Sequence, residues 1–204
     1  MRNLPWFIVL AVVGFLIWYF LPKPLPQKIL PPPKQDKIVI PQTPEQQTIP
    51  TTMPFSITSP AFVMNGSIPA RFTCDGKGIS PELVFENAPL GTQSFALTME
   101  DPDVPTSIRA DGMWNHWIVW NMPPATSGIK EGGTPPGIVG TNTGGKTAYQ
   151  GPCPPDREHR YVFTLYALDS MLSLASGTTK EELLKAIEPH LIERSTLIGR
   201  YARD

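Results

Sequence analysis

The stretch Gly151-Pro-Cys-Pro-Pro-Asp-Arg-Glu-His-Arg-Tyr161 sets a proline-locked loop directly before a histidine and an apolar run, Val162-Phe-Thr-Leu-Tyr-Ala-Leu168. Proline fixes φ and removes a backbone donor, so the loop is stiff. The near-continuous apolar run after it reads as a central strand with both faces covered. His159 at the junction is therefore held at a defined place and angle, as a functional group must be. The chain has only 3 histidines, which makes a fixed one informative. A second, His116, opens the run Asn115-His-Trp-Ile-Val-Trp-Asn-Met122, where period-two alternation puts it on one face with Ile118 and Trp120.

Other segments follow the same pattern. Phe55–Ser59 alternates and ends at Pro60. Ser94–Glu100 alternates with Phe95, Leu97 and Met99 on one face. Leu83–Phe85 and Leu197–Tyr201 carry weaker strand signals. Gly- and Pro-rich connectors between these runs predict an antiparallel β-sandwich rather than a βαβ fold. One helix is expected over Lys180–Glu188, capped by Thr178 or Thr179, each with a glutamate three residues on, and closed by Pro189. Its apolar stripe is Leu183, Leu184 and Ile187.

Composition divides the chain into three zones. Residues 1–21 hold an uncharged apolar block, Leu4–Leu21, about 27 Å long as a helix and so matched to a bilayer core. Trp6 at one end and Trp18 and Tyr19 at the other suit the headgroup zones, and no small-residue cleavage site follows. An uncleaved transmembrane anchor is expected. Residues 22–54 are a Pro-rich linker with Lys, Gln and Thr between the prolines. Such a segment favours extended polyproline II and reads as a stalk, or as a ligand for a proline-binding module. Residues 55–204 form the folded domain. Lys23, Lys28, Lys34 and Lys37 beyond the anchor favour a cytoplasmic body, whereas the very short N-terminal tail and a translocating domain favour an extracytoplasmic one, periplasmic or extracellular. The second is the expectation here.

A formal charge of −1 offers no basic field for nucleic acid. Cys74 and Cys153 lack a zinc spacing; outside the cytoplasm they can form a disulfide, and otherwise remain free thiols. Gly140-Thr-Asn-Thr-Gly-Gly-Lys-Thr147 fits the phosphate-loop pattern, but that motif needs a helix after it, and Ala148–Pro155 cannot start one.

Asp101-Pro-Asp-Val-Pro105 ends an apolar strand with two proline-stiffened carboxylates. By itself it is a turn, a divalent-metal site or a pair of anchors for imidazoles. Together with His116 and His159 it favours a site. His190 follows the helix and reads as a helix-end residue.

These segments resemble the phosphatidylethanolamine-binding protein family, in its prokaryotic Raf-kinase-inhibitor-like branch. The resemblance rests on Asp101-Pro-Asp-Val-Pro105, Asn115-His-Trp117 and Gly151-Pro-x-Pro-Pro with His159-Arg-Tyr161. Phe72-Thr-Cys-Asp-Gly76, Ser80-Pro81, Gly91-Thr-x-Ser-Phe95 and Tyr166-Ala-Leu-Asp169 add to it. It covers nearly all of the chain beyond the linker. It implies a β-sandwich with a peripheral C-terminal helix and a small anion pocket lined by Asp101, Asp103, His116, Gly151, Pro152, His159 and Tyr161, with Trp114 and Tyr149 as neighbours. One departure is local: Asp156-Arg157-Glu158 stands where many relatives carry glycine.

On this reading both aspartates face the imidazoles, which gain protons near pH 6 and donate to a phosphate or carboxylate. Backbone N–H groups around Gly151 add donors. The expected function is binding rather than catalysis, with no cofactor and no metal. The expected ligand is an anionic or phosphorylated small molecule, such as a phospholipid head group. An inhibitor of a partner protease or kinase is the alternative, and a metal-dependent hydrolase a more distant one.

Overall fold

The computed structural model describes residues 53–203. The expected anchor and nearly all of the linker lie outside the described residues. Among the described residues no helix is long and apolar enough to cross a membrane.

Among the described residues, eight strands form two antiparallel sheets. The smaller has the order β1 (Ser56–Thr58), β2 (Leu83–Glu86), β5 (Gly128–Ile129). The larger has the order β6 (Ile138–Val139), β4 (Trp114–Met122), β3 (Ser94–Asp101), β7 (His159–Leu168), β8 (Leu191–Tyr201). Alternation sorts each long strand between two cores. Phe95, Leu97 and Met99 of β3 join Phe163 and Leu165 of β7 and Ile57 and Phe85 of the small sheet in the inter-sheet core. Ala96, Ile118, Trp120 and Leu168 point the other way, under the helix α1 (Lys180–Ile187), which buries Leu183 and Ile187 against them. Burying each such aliphatic side chain contributes roughly 1.5–3 kcal/mol. With one core on each face, β3 and β7 are covered on both sides, which is why β7 is apolar from Tyr161 to Leu168 apart from Thr164.

Local chemistry sets the boundaries of α1. Thr179 is the N-cap: its hydroxyl accepts from the Glu182 N–H, and the Glu182 carboxylate accepts from the Thr179 N–H at 2.9 Å. This capping box selects Thr179 over Thr178, whose hydroxyl donates to the Ala175 carbonyl. Strand β8 is longer than its sequence signal. Residues 191–194 are all exposed and so show no alternation of burial, yet Leu191, Glu193 and Arg194 pair with β7. The Gly140–Thr147 loop leads to no helix; the Asn142 side chain closes it by accepting from the Lys146 N–H and donating to the Ala148 carbonyl, each at 3.0 Å.

Candidate functional site

A β-bulge re-aims His116. In the β3–β4 ladder Met99 pairs with Trp117 but Glu100 pairs with Asn115, so His116 is the extra residue without a partner. Simple alternation would place it with Ile118 and Trp120 beneath α1. Instead its ring meets the edge of Tyr161, a residue of the inter-sheet core, at a centroid distance of 5.3 Å. That corrects the face expected from the sequence: the bulge adds one residue and turns the side chain over.

Gln150 holds His116 in this orientation. The Gln150 N–H donates to the His116 carbonyl at 3.0 Å, and the His116 Nδ1 lies 2.8 Å from the Gln150 carbonyl oxygen. A carbonyl only accepts, so Nδ1 carries the proton. Burial pulls the His116 pKa down to about 4 because it disfavours the charged ring; the Gln150 carbonyl and Asp101 oppose the shift, and His159 adds to it. His116 is therefore neutral at physiological pH, and its Nε2 is a bare acceptor. The expectation that both imidazoles gain a proton near pH 6 fails at His116 for this reason.

Asp101 ends β3 and is 3% exposed. Its Oδ1 accepts from the Asp103 N–H at 2.8 Å, and its Oδ2 faces His159 Nδ1 at 2.7 Å. His159, fully buried at the start of β7, meets a second carboxylate on its other nitrogen: Asp156 Oδ1 lies 2.8 Å from Nε2. An imidazole serves as donor to two ionised carboxylates only as the doubly protonated ring. The hydrogen bond from His159 is the chief cause that lowers the Asp156 pKa.

Beside these groups lies a cavity of about 230 Å³ lined by Asp101 and His116, by Trp114, Gln150 and Cys153, and at its lip by Val104, Ile108 and Pro155. The Trp114 indole N–H donates to Gln150 Oε1 at 3.1 Å, tying two walls together. The Cys74–Cys153 disulfide is formed, with Cα atoms 5.4 Å apart. It staples the loop before β7 to the turn after Phe72, where the Cys74 N–H also donates to the Pro152 carbonyl at 2.9 Å.

Residues 58–202 match the sequence profile of the phosphatidylethanolamine-binding protein family. The chain belongs to that family. A UPF0098 protein of Chlamydia pneumoniae is 48% identical over 147 residues, covering 72% of this chain and 98% of that protein. A Methanothermobacter thermautotrophicus member is 44% identical over 149 residues, covering 70% of this chain and 95% of that one. The crystal structure of a family homologue from Chlamydia trachomatis superposes with a TM-score of 0.72 at 47% identity, covering 74% of this chain and 98% of that one. Escherichia coli YbcL, described as a member of the mammalian family, superposes with a TM-score of 0.67 at 26% identity, covering 74% of this chain and 99% of that one.

Within this family fold the remaining residues expected at the pocket divide by role. Asp103 turns away from the imidazoles. Its carboxylate takes two side-chain hydrogen bonds from Arg160 at 2.8 Å and the Arg160 N–H at 2.9 Å, which together bring its pKa down to about 2 against the opposing effect of burial. Tyr149 braces the site from behind: its hydroxyl donates to the Phe72 carbonyl at 2.9 Å and its ring meets Trp117 edge-on. At Gly151 the chain passes close to the turn after Phe72: a Cβ there would stand 2.6 Å from the Phe72 carbonyl oxygen and 3.0 Å from Thr73 Cα. Pro152 is buried beside it. Tyr161 packs on His116, and burial, reinforced by Asp101, raises its phenol pKa.

Gln150, Val104, Ile108 and Pro155 line the site without having been assigned to it from the sequence, and Asp156, noted there only as a local departure, proves to hold His159. Ile108 lies in an irregular segment without periodicity, and Gln150 acts on His116 through its backbone, which no side-chain pattern reveals. Asp156 had a usable signal, a carboxylate three residues before the placed histidine. Among the described residues no group of three or more His, Cys, Asp or Glu side chains is arranged to hold a metal ion.

Proposed function

We propose that this domain is a non-catalytic binding module that takes a phosphate-type head group, in its protonated form, into the cavity between Asp101 and His116. The observation that carries this reading is the bare Nε2 of a neutral, buried His116 beside an aspartate at the cavity. An acceptor next to a carboxylate disfavours a phosphate dianion and favours a monoanion, whose P–OH donates to the ring. The second ionisation of a phosphomonoester falls near pH 6. Affinity then rises as pH falls toward about 6, with the proton arriving on the ligand rather than on His116. A cavity of about 230 Å³ is smaller than the usual drug-sized site and suits a head group. Ile108, 54% exposed at its lip, gives an apolar edge along which a ligand's tail leaves the cavity.

Calorimetric titration of the full chain in non-ionic detergent with phosphoethanolamine tests this, at pH 7.5 and pH 5.8. Tighter binding at the lower pH is expected, with His116→Ala reducing affinity at both. Equal affinity at the two pH values, or an unaffected His116→Ala variant, would refute it.

The reading extends to a domain held outside the cytoplasm by the residues 1–21 anchor and the residues 22–54 linker. The Cys74–Cys153 bridge supports it, because such bonds persist in oxidising compartments. Protease added to spheroplasts, in which any outer membrane is opened and the inner membrane is intact, should then cleave the linker and release the domain; complete protection would sink the assignment.

A further inference from the structure

Pro155 has a cavity on either side. The second, about 370 Å³, is lined by Pro154, Pro155, Asp156, Arg157 and Arg203 and shares only Pro155 with the head-group cavity. The Asp156 carboxylate, 44% exposed, lies on the Nε2 of His159, a ring with no exposure of its own. Asp156 therefore stands between solvent and the one nitrogen of His159 that Asp101 does not hold.

The surrounding charges suit an oxyanion at that place. The Arg157 guanidinium hydrogen-bonds main-chain carbonyls, those of Asp103 at 3.4 Å and Glu158 at 3.5 Å, rather than a carboxylate. Arg203 lines the same cavity and pairs with Asp75 at 3.1 Å. A carboxylate lies against each ring nitrogen, Asp101 on Nδ1 and Asp156 on Nε2, so Nε2 as well as Nδ1 donates and the Nε2 donor is aimed at the place where Asp156 stands. The Nε2 donor lies behind Asp156, and Arg157 and Arg203 line the same cavity as that carboxylate, so an oxyanion in the place of the Asp156 carboxylate meets a buried imidazole donor with two cationic side chains nearby. That carboxylate is carried by the exposed end of a loop whose start is fixed by Pro154 and Pro155 and by the disulfide at Cys153.

We propose that this second cavity is an oxyanion site closed by its own side chain: Asp156 holds, on His159 Nε2, the place of an external oxyanion. A phosphate or carboxylate group enters by displacing Asp156, and Asp156 thereby sets the threshold for anion binding on this side of the domain. This site is distinct from the head-group cavity and does not depend on His116.

The test uses the full chain in non-ionic detergent with inorganic phosphate as the probe. Calorimetry compares the parent chain with Asp156→Ala and Asp156→Ala/His159→Gln, and thermal melting confirms that each is folded. Asp156→Ala should bind phosphate at least tenfold more tightly than the parent, and the double variant should lose that gain. Asp156→Asn, which keeps the shape but not the charge, serves as a second variant and should change affinity in the same direction. The same gain should appear in a His116→Ala background, which separates this site from the head-group cavity even if that cavity takes no phosphate. Phosphate affinity unchanged or weaker in both Asp156 variants, or a gain that survives His159→Gln, overturns the proposal.

Discussion

Acidification should destabilise the domain through His116 by an amount that the structure sets. The ring is buried, its pKa lies near 4 in the fold, and the ordinary value is 6.5. Between those values the unfolded chain binds the proton and the folded chain does not. Stability therefore rises with pH across this window: the contribution is complete above about pH 6.5 and is lost as pH falls toward about 4. From about pH 7.5 to about pH 4.5 the linkage amounts to roughly 2.5 kcal/mol, taking 1.36 kcal/mol per pKa unit. Asp101 and His159, the charged neighbours that act on His116, are present in both the parent and a variant, so a comparison isolates the ring. His116→Asn keeps an N–H donor near the Nδ1 position while removing the titrating group. Urea unfolding can be followed by the fluorescence of the buried Trp117 and Trp120. The parent should lose about 2.5 kcal/mol more than His116→Asn over that pH range. Parallel stability profiles would show that His116 is not held neutral, and with it the acceptor role of Nε2 would fall.

Two further outcomes follow from the same geometry. Gly151→Ala sets a Cβ 2.6 Å from the Phe72 carbonyl oxygen, and should cost roughly 1–3 kcal/mol by chemical denaturation, as overpacking does; a neutral effect would mean that the turn after Phe72 yields freely. Replacing Cys74 with Ser opens a bridge spanning 79 residues of sequence. Loop-closure entropy puts its contribution at about 4.5 kcal/mol as an upper figure. A large fall in melting temperature is expected, and an unchanged one would show that the loop before β7 is held without the covalent link.

Much of the fold was legible because burial acts through period. Strands β3, β4 and β7 and the capped helix carry their burial pattern in their side chains, and Pro and Gly mark the connectors between them. The site was legible as a set of residue types at strand ends: Asp101, His116 and His159 do come together. Asp103 was not separable from Asp101 by sequence, since both sit in one proline-stiffened turn. Which of them faces an imidazole depends on Arg160, 57 residues away in the chain.

By itself the sequence determined the elements, the capped helix and the stiff loop that delivers His159, because proline geometry, capping and alternation are local effects. Tertiary structure alone decided three things. The bulge opposite Met99 and Glu100 turned His116 toward Tyr161, because register belongs to two strands and not to one. Burial against that core made the ring neutral and gave the cavity an acceptor in place of a cation. The loop path brought Asp156 back onto His159 Nε2, so the second imidazole faces a carboxylate of its own chain. Each of these rests on contacts between segments far apart in sequence or on a loop geometry without a period, and neither leaves a mark in the order of residues.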